Sequence, residues 1–347
     1  MSAALRHRTH LCTTLHALRL FPSRIAYVSS PMTEALPRKN RTRHTRAPSG
    51  RRTSITDNDI YGIFEPLSRH AQLTTKQLVA YDQRYAMKTR ERLTQLFHID
   101  GEWLSRLGQD MKFANYLTVD EMHRLGSDAA QLLIAKGIIP NAEWVFATRI
   151  GGHSNTPSRI VRLAHDHMAS NIALDIEIGA RADKTTQFVT HIDIIKAAPA
   201  ATQMLKKPLR IPAPETFGAP KWIEPDALFG LGNRYYALEA DMGTETIETI
   251  IRGKILAYRE IVATCTIDDH LGIDNLTVLF VTTREPRMRS MMEELRTIAR
   301  DGRTPRFAFA CRPDLSNFLH APAPVGNMFR EPWERVGYDA LNLTHST

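Results

Sequence analysis

Hydrophobic residues recur along the first third of the chain with the spacing of short amphipathic helices. Ile60, Ile63, Phe64 and Leu67 lie three and four apart, the period of one helix face. Thr56 precedes them as a good N-cap, and Asp57 and Asp59 place negative charge in the first turn, where the helix dipole favours it. This first helix should end near Arg69. A second, Lys76–Tyr81, is capped by Thr74 or Thr75 and turns Leu78 and Val79 inward. A third should run from Ala86 to Phe97, with Met87, Leu93, Leu96 and Phe97 on the core side and Lys88, Arg90 and Arg92 on the other. Asp100-Gly101 marks a turn before short alternating stretches around Trp103, and Asn115–Val119 reads as a return strand. Met122, Leu125, Ala129, Leu132 and Leu133 give an amphipathic helix over Asp120–Lys136, stopped by Gly137. Three short helices, a hairpin and a closing helix describe a winged helix-turn-helix over residues 54–139.

A different pattern follows a linker over 140–157, which holds Gly151-Gly152 and Pro157. Ser158–Ile178 is a long, strongly apolar helix, ended by Gly179. Phe188–Ile195 reads as a strand. Ala197–Gly218, rich in Ala and Pro, should be irregular. Ala227–Leu231 and Tyr235–Ala240 are strands joined by a Gly232-Asn233 hairpin signal. Thr246–Ala263 is a helix, Leu276–Thr282 a buried strand, Arg287–Ala299 a helix and Phe307–Phe309 a short strand. The order is helix, strand, strand, strand, helix, strand, with residues 313–347 as an extension. No internal repeat is visible.

Composition changes this picture little and charge changes it more. With 347 residues, 43% apolar and 24% charged, the chain is long enough for two domains with a core each. No run of eighteen apolar residues suggests a membrane span. Cys12, Cys265 and Cys311 are too few and too scattered for a disulfide framework or a cysteine zinc site. A cytoplasmic location is therefore expected. The net charge of +8 is concentrated at the start, where residues 1–52 hold eleven Lys/Arg against the single acid Glu34. A basic, Pro-punctuated arm over residues 1–53 should be disordered and drawn to a polyanion in a salt-dependent way. Two other readings stand beside it: a solvated leader, with Met32 as an alternative start, and a transit peptide.

The candidate chemistry sits where the strands meet. Pro225-Asp226 opens one strand, and Glu239 and Asp241 sit two apart at the end of its hairpin neighbour. That spacing puts both side chains on one face. The antiparallel pairing brings Asp226 near Glu239. Converging carboxylates need a cation or a proton, and Mg²⁺ or Mn²⁺ suits an oxygen-rich site of this kind. The competing reading is strand-end acids facing solvent, with Asp241 serving the Met242-Gly243-Thr244 turn. His165 and His167 lie two apart on a helix, cannot share one face, and read as structural or DNA-contacting. Lys88, Arg90 and Arg92 are either a DNA-reading face or an ordinary solvated one. Phosphate-binding loops, dinucleotide fingerprints and nucleophile elbows are absent from the sequence.

The order of elements resembles the PD-(D/E)XK, or restriction-endonuclease-like, fold, and more narrowly the bacterial replication-relaxation family of plasmids and other mobile elements. The matching residues are Pro225–Phe229, Leu238-Glu239-Ala240-Asp241-Met242-Gly243-Thr244-Glu245 and Lys254–Tyr258, together with the more generic Ile55–Val79 and Tyr116–Gly137. The resemblance spans about residues 55–312. It implies an α+β protein: an N-terminal winged helix-turn-helix followed by an α/β restriction-endonuclease-like domain with a mixed sheet, over 158–312. It also implies catalytic roles for Asp226, Glu239, Asp241 and Lys254, with Asp226 and Glu239 as metal ligands. The motif lysine belongs at position 241, where this chain has aspartate; by the resemblance, Lys254 on the next helix could replace it. A long first helix often adds an acid, for which Asp175 and Glu177 are the candidates. The expected role is DNA binding in replication, relaxation or mobilisation, as an accessory factor whose nuclease-like domain is degenerate, with a relaxase or replication initiator as protein partner and a homodimer as one assembly. A metal-dependent endonuclease and a winged-helix transcriptional regulator are the alternatives.

Overall fold

A computed structural model describes residues 54–82, 84–107, 120–141, 157–216 and 218–345. The basic arm, the expected return strand Asn115–Val119 and most of the linker lie outside these residues. The described elements form an α+β protein with a mixed central sheet.

Helix α1 begins at Asp57–Asp59, runs through a π-helical segment at Ile60–Phe64 and ends with Glu65–Arg69. Its start is the one read from the sequence. Thr56 accepts from the Asp59 backbone N–H, and the Asp59 carboxylate accepts in return from the Thr56 N–H, a reciprocal capping box. Strand β1 (Leu73–Thr74), helix α2 (Thr75–Asp82) and helix α3 (Ala86–His98) follow. On α3 the sequence expectation needs one correction. Met87 is exposed and Thr89 takes the buried place, where its hydroxyl donates to Asp82 Oδ2 at 2.6 Å. A hydrogen-bonded threonine satisfies that interior position, which the apolar pattern alone assigned to methionine.

Strand β2 (Leu104–Leu107) pairs antiparallel with β3 (Met122–Leu125), and β1 pairs with the other edge of β3. Strand β3 thus covers Met122–Leu125, residues that the sequence assigned to a helix. Helix α4 is confined to Ser127–Ala135. Gly126 separates the two: a Cβ there would lie 1.9 Å from the Glu102 carbonyl oxygen, so only glycine allows the two chain segments to cross this closely. Helices α1–α4 enclose one core containing Ile63, Phe64, Leu78, Leu93, Leu96 and Leu133, which continues onto Leu174 of the next helix.

That helix, α5 (Pro157–Ala182), passes straight through Gly179, which the sequence reading took as its end. Gly179 is needed for packing. A Cβ there would sit 2.4 Å from Phe329 Cβ and 3.0 Å from the Gly326 carbonyl. The expected strand Phe188–Ile195 also divides. Strand β4 (Phe188–Thr190) gives way to helix α6 (His191–Ala197) because Thr190 and Asp193 form a second capping box. The hydroxyl of Thr190 donates to Asp193 at 2.6 Å. The helix sends Ile192 and Ile194 into different cores, so local capping outweighs the β preference of the isoleucine-rich run.

After a short helix α7 (Ala200–Gln203), strands β5 (Ile211–Pro212) and β6 (Trp222–Ile223) form a small ribbon. Strands β7 (Ala227–Leu231) and β8 (Arg234–Asp241) are the expected hairpin. Helix α8 opens with a π-helical segment, Ile247–Ile251, and continues as Arg252–Ala263, followed by α9 (Thr266–Leu271), β9 (Thr277–Thr282), α10 (Glu285–Ile298) and β10 (Phe307–Cys311). Residues 313–345 are integral to this body. Helix α11 (Asn327–Arg330) brings Phe329 into the core, Trp333 follows it there, and β11 (Glu334–Arg335) adds an edge strand. The sheet order is β11-β10-β9-β8-β7-β4, with β8, β9 and β10 parallel and the remaining pairs antiparallel.

Alternation along the strands divides the sheet into two faces. Ala237, Val278, Phe280 and Phe309 meet α8 and α10. Tyr236, Leu238, Ala240 and Leu279 meet α5 and the C-terminal segment. Glu239 and Asp241 share the parity of Ala237 and so enter the α8/α10 side, as their spacing predicts.

Candidate carboxylate centre and basic helix face

The hairpin brings Asp226 to the end of β8. Its backbone N–H donates to the Leu238 carbonyl at 3.0 Å, and its carboxylate accepts from the Ala240 N–H at 2.8 Å. Strand β7 begins one residue later, so the Asp226 side chain takes over the ladder position at Ala240. The same oxygen lies 3.3 Å from His165 Nε2, and the other imidazole nitrogen is 3.6 Å from Asp166. Burial opposes the imidazolium, but the two flanking carboxylates prevail and raise His165 to about 10. His167, two residues on, is buried beside Phe318; burial and then Lys76 lower it to about 4. The pair separates as the helix geometry requires.

Glu239 is 2% exposed. It accepts from the Tyr258 hydroxyl at 2.5 Å and pairs with Lys254 Nζ at 2.9 Å. Lys254 also lies 3.0 Å from Glu245. Lys254 and Tyr258 are four apart on α8 and therefore share a face, a spacing visible in the sequence. Burial raises the Glu239 pKa, Lys254 opposes the rise, and the nearby Asp226 adds to it. Asp241 stands apart from this set. It is bound by Thr282 Oγ1 at 2.9 Å and by both Arg287 nitrogens facing it, with Nη2 at 2.8 Å and Nε closer.

The two acids of α5 have other partners. Asp175 accepts backbone N–H groups from Val325, Gly326 and Met328, anchoring the segment that leads into α11. Glu177 receives Arg69 bidentately at 2.7 and 2.9 Å, Tyr81 at 3.1 Å and Arg181 at 2.7 Å. This buried cluster ties the end of α1 to α5. The sequence gives no signal for it, because Arg69 and Glu177 are 108 residues apart. A cavity of about 340 Å³ lies beside the cluster, bounded by Arg69, Arg162, Asp166, Glu177, Lys207 and Asp226 among others.

Asp226 holds a backbone N–H and an imidazole, Glu239 holds a hydroxyl and an ammonium, and no cluster of three ligating His, Cys, Asp or Glu side chains exists among the described residues.

The three basic residues of α3 also divide. Lys88 and Arg90 are exposed. Arg92 turns back to Asp59, with Nε and Nη2 at 2.9 and 2.7 Å, and to the Ser54 carbonyl at 2.7 Å. Burial opposes ionisation of Asp59, but Arg92 and the N-cap bonds prevail and lower its pKa. Arg92 thus braces α1 against α3, while Lys88 and Arg90 point outward with Tyr85, Thr94 and Gln95, all exposed.

The fold and these two centres define an α+β protein with exposed cations on α3 and a carboxylate–lysine centre near the C-terminal end of β8, an interior strand of a mixed sheet. The chain belongs to the replication-relaxation family, whose model matches residues 64–276. No curated protein and no solved structure matches it. Among the described residues no helix is long and apolar enough to cross a membrane.

Proposed function

We propose that this protein binds duplex DNA through α1–α4 and the β1-β3-β2 sheet, acting as a winged helix-turn-helix, and serves as an accessory factor in replication or relaxation of a plasmid or other mobile element. The observation that carries this reading is the outward face of α3, where Lys88 and Arg90 stand exposed beside polar side chains while Arg92 braces the helix from behind. A helix of this width fits the major groove, with cations for phosphates and amides for base edges. Family membership supports the replication role. A relaxase or replication initiator is the protein partner such a role calls for. The second half is read as a PD-(D/E)XK-like domain that has lost catalysis. Arginine-bound Asp241 replaces the motif lysine, and the other two acids are engaged internally.

One observation favours a second reading, a divalent-metal-dependent endonuclease: Lys254 reaches Glu239 from the next helix, where a relocated motif lysine would stand. The two are separated by fluorescence anisotropy with duplex DNA and by supercoiled-plasmid cleavage in Mg²⁺ or Mn²⁺. The accessory reading expects Lys88→Ala/Arg90→Ala to weaken duplex binding at least about tenfold, since each lost contact is worth about 1–3 kcal/mol at a base, with no cleavage by wild type. Unchanged affinity in that variant would sink the winged-helix assignment. Cleavage abolished by Asp226→Ala would replace the accessory reading with the nuclease.

A further inference from the structure

The segment between α7 and β7 has an unusual surface. Met204 is 87% exposed, Leu205 45% and Trp222 48%, and Lys206, Lys207, Arg210 and Lys221 are exposed around them. Two buried residues, Ile211 and Ile223, anchor the β5–β6 ribbon in the core. Trp222 is therefore held on a fixed base. The Arg210 guanidinium lies 4.1 Å from the centre of the Trp222 ring, orienting an aromatic plane at the surface. Lys207 lines both an open depression, with Pro212 and His270, and the cavity lined by Asp226 and Arg162. The basic surface thus reaches the cavity beside Asp226.

We infer that this ribbon is a second nucleic-acid surface, which holds single-stranded DNA with a base stacked on Trp222 and the backbone led past Lys206, Lys207 and Lys221 toward the cavity. Charge complementarity selects a polyanion: the only acids exposed on the segment are Glu215 and Glu224, and Glu224 is paired with Lys207 at 3.3 Å. The exposed indole selects a strand whose bases are unstacked, because a paired duplex keeps its ring faces covered. The inference rests on the reading of the protein as DNA-binding and adds a second site, for the separated strand, away from α3.

The test uses the full chain and two labelled probes, a twenty-nucleotide oligo(dT) and a duplex of the same length. Trp222→Ala should weaken oligo(dT) binding about tenfold, within the range expected for losing one base–aromatic stack, and leave duplex affinity unchanged. Lys206→Glu/Lys221→Glu, two fully surface changes that do not touch the anchor residues, should weaken oligo(dT) binding at least as much and flatten its salt dependence. Lys88→Ala/Arg90→Ala should do the reverse, lowering duplex affinity alone. Oligo(dT) affinity unchanged in both ribbon variants overturns the inference, as does a wild type that binds duplex only. Oligo(dT) binding that needs Trp222 in a protein without duplex affinity overturns the winged-helix reading and leaves this one standing. A wild type that binds neither probe overturns both.

Discussion

Two buried glutamates, Glu177 and Glu239, show how differently one residue type behaves in two parts of the same fold. Glu177 meets Arg69 bidentately, Arg181 and the Tyr81 hydroxyl. Burial alone would raise its pKa, but the arginines prevail and lower it. Glu239 meets one lysine and one tyrosine, with the Asp226 carboxylate close by, and there burial wins and raises it. The number and geometry of the cations decide the outcome, since two planar guanidiniums can satisfy a carboxylate that a single shared ammonium cannot. Lys254 is shared because it also serves Glu245. The first site is a charge-compensated joint between α1 and α5. The second is a carboxylate held near the point of neutrality, next to another acid.

The sharpest way to break this comparison is to remove the cation from each site. Arg69→Met should cost about 3 kcal/mol or more, since it leaves a buried charge with too few partners, and chemical denaturation reads the loss directly. Lys254→Met should cost less, about 1–2 kcal/mol, because Glu239 can take up a proton instead of remaining charged. Equal losses in the two variants would show that the sites do not differ as described.

A smaller effect is the pH dependence, which should have opposite signs. Glu177, with its folded pKa below the ordinary 4.5, contributes stability that is present above 4.5 and is lost as pH falls through the depressed value. Glu239, raised above 4.5, contributes stability that is complete below 4.5 and is lost as pH rises through its folded value. Denaturation midpoints across mildly acid to neutral pH should therefore show Glu239→Gln losing the wild type's decline toward neutrality. Glu177→Gln should fall further behind wild type as pH rises from the depressed Glu177 value to about 4.5, and should hold a constant deficit from there to neutrality. Parallel curves for wild type and both variants would contradict the assignment. Tyr258→Phe should have the smallest effect, about 1 kcal/mol from one lost hydrogen bond to a buried carboxyl, together with a further upward shift of Glu239 that NMR titration would detect.

Much of this was legible along the chain. The Thr56 N-cap, the β7–β8 hairpin at Gly232-Asn233 and the shared face of Glu239 and Asp241 follow from short-range spacing, and all occur as read. Misreadings arose where two local signals competed. At Thr190–Asp193 the cap won over the β-branched run, and at Met122–Leu125 the pairing with β1 and β2 won over helical periodicity. Gly179 reads as a helix stop and is instead a contact point for Phe329, a residue 150 positions away.

Charge state and partnership belong to the tertiary structure. The sequence alone determined that Asp226 and Glu239 would converge, because a hairpin brings its two ends together. It also determined that Lys254 and Tyr258 would act from one helix face. Only the folded chain decided that Arg92 turns inward while Lys88 and Arg90 stay out, that Asp241 pairs with Arg287 rather than joining Glu239, and that Glu177 is held by an arginine 108 residues earlier. Periodicity is a property of neighbours within a few residues. The electrostatic fate of a carboxylate depends on which distant cations packing brings within about 3–4 Å, and on how much water packing removes.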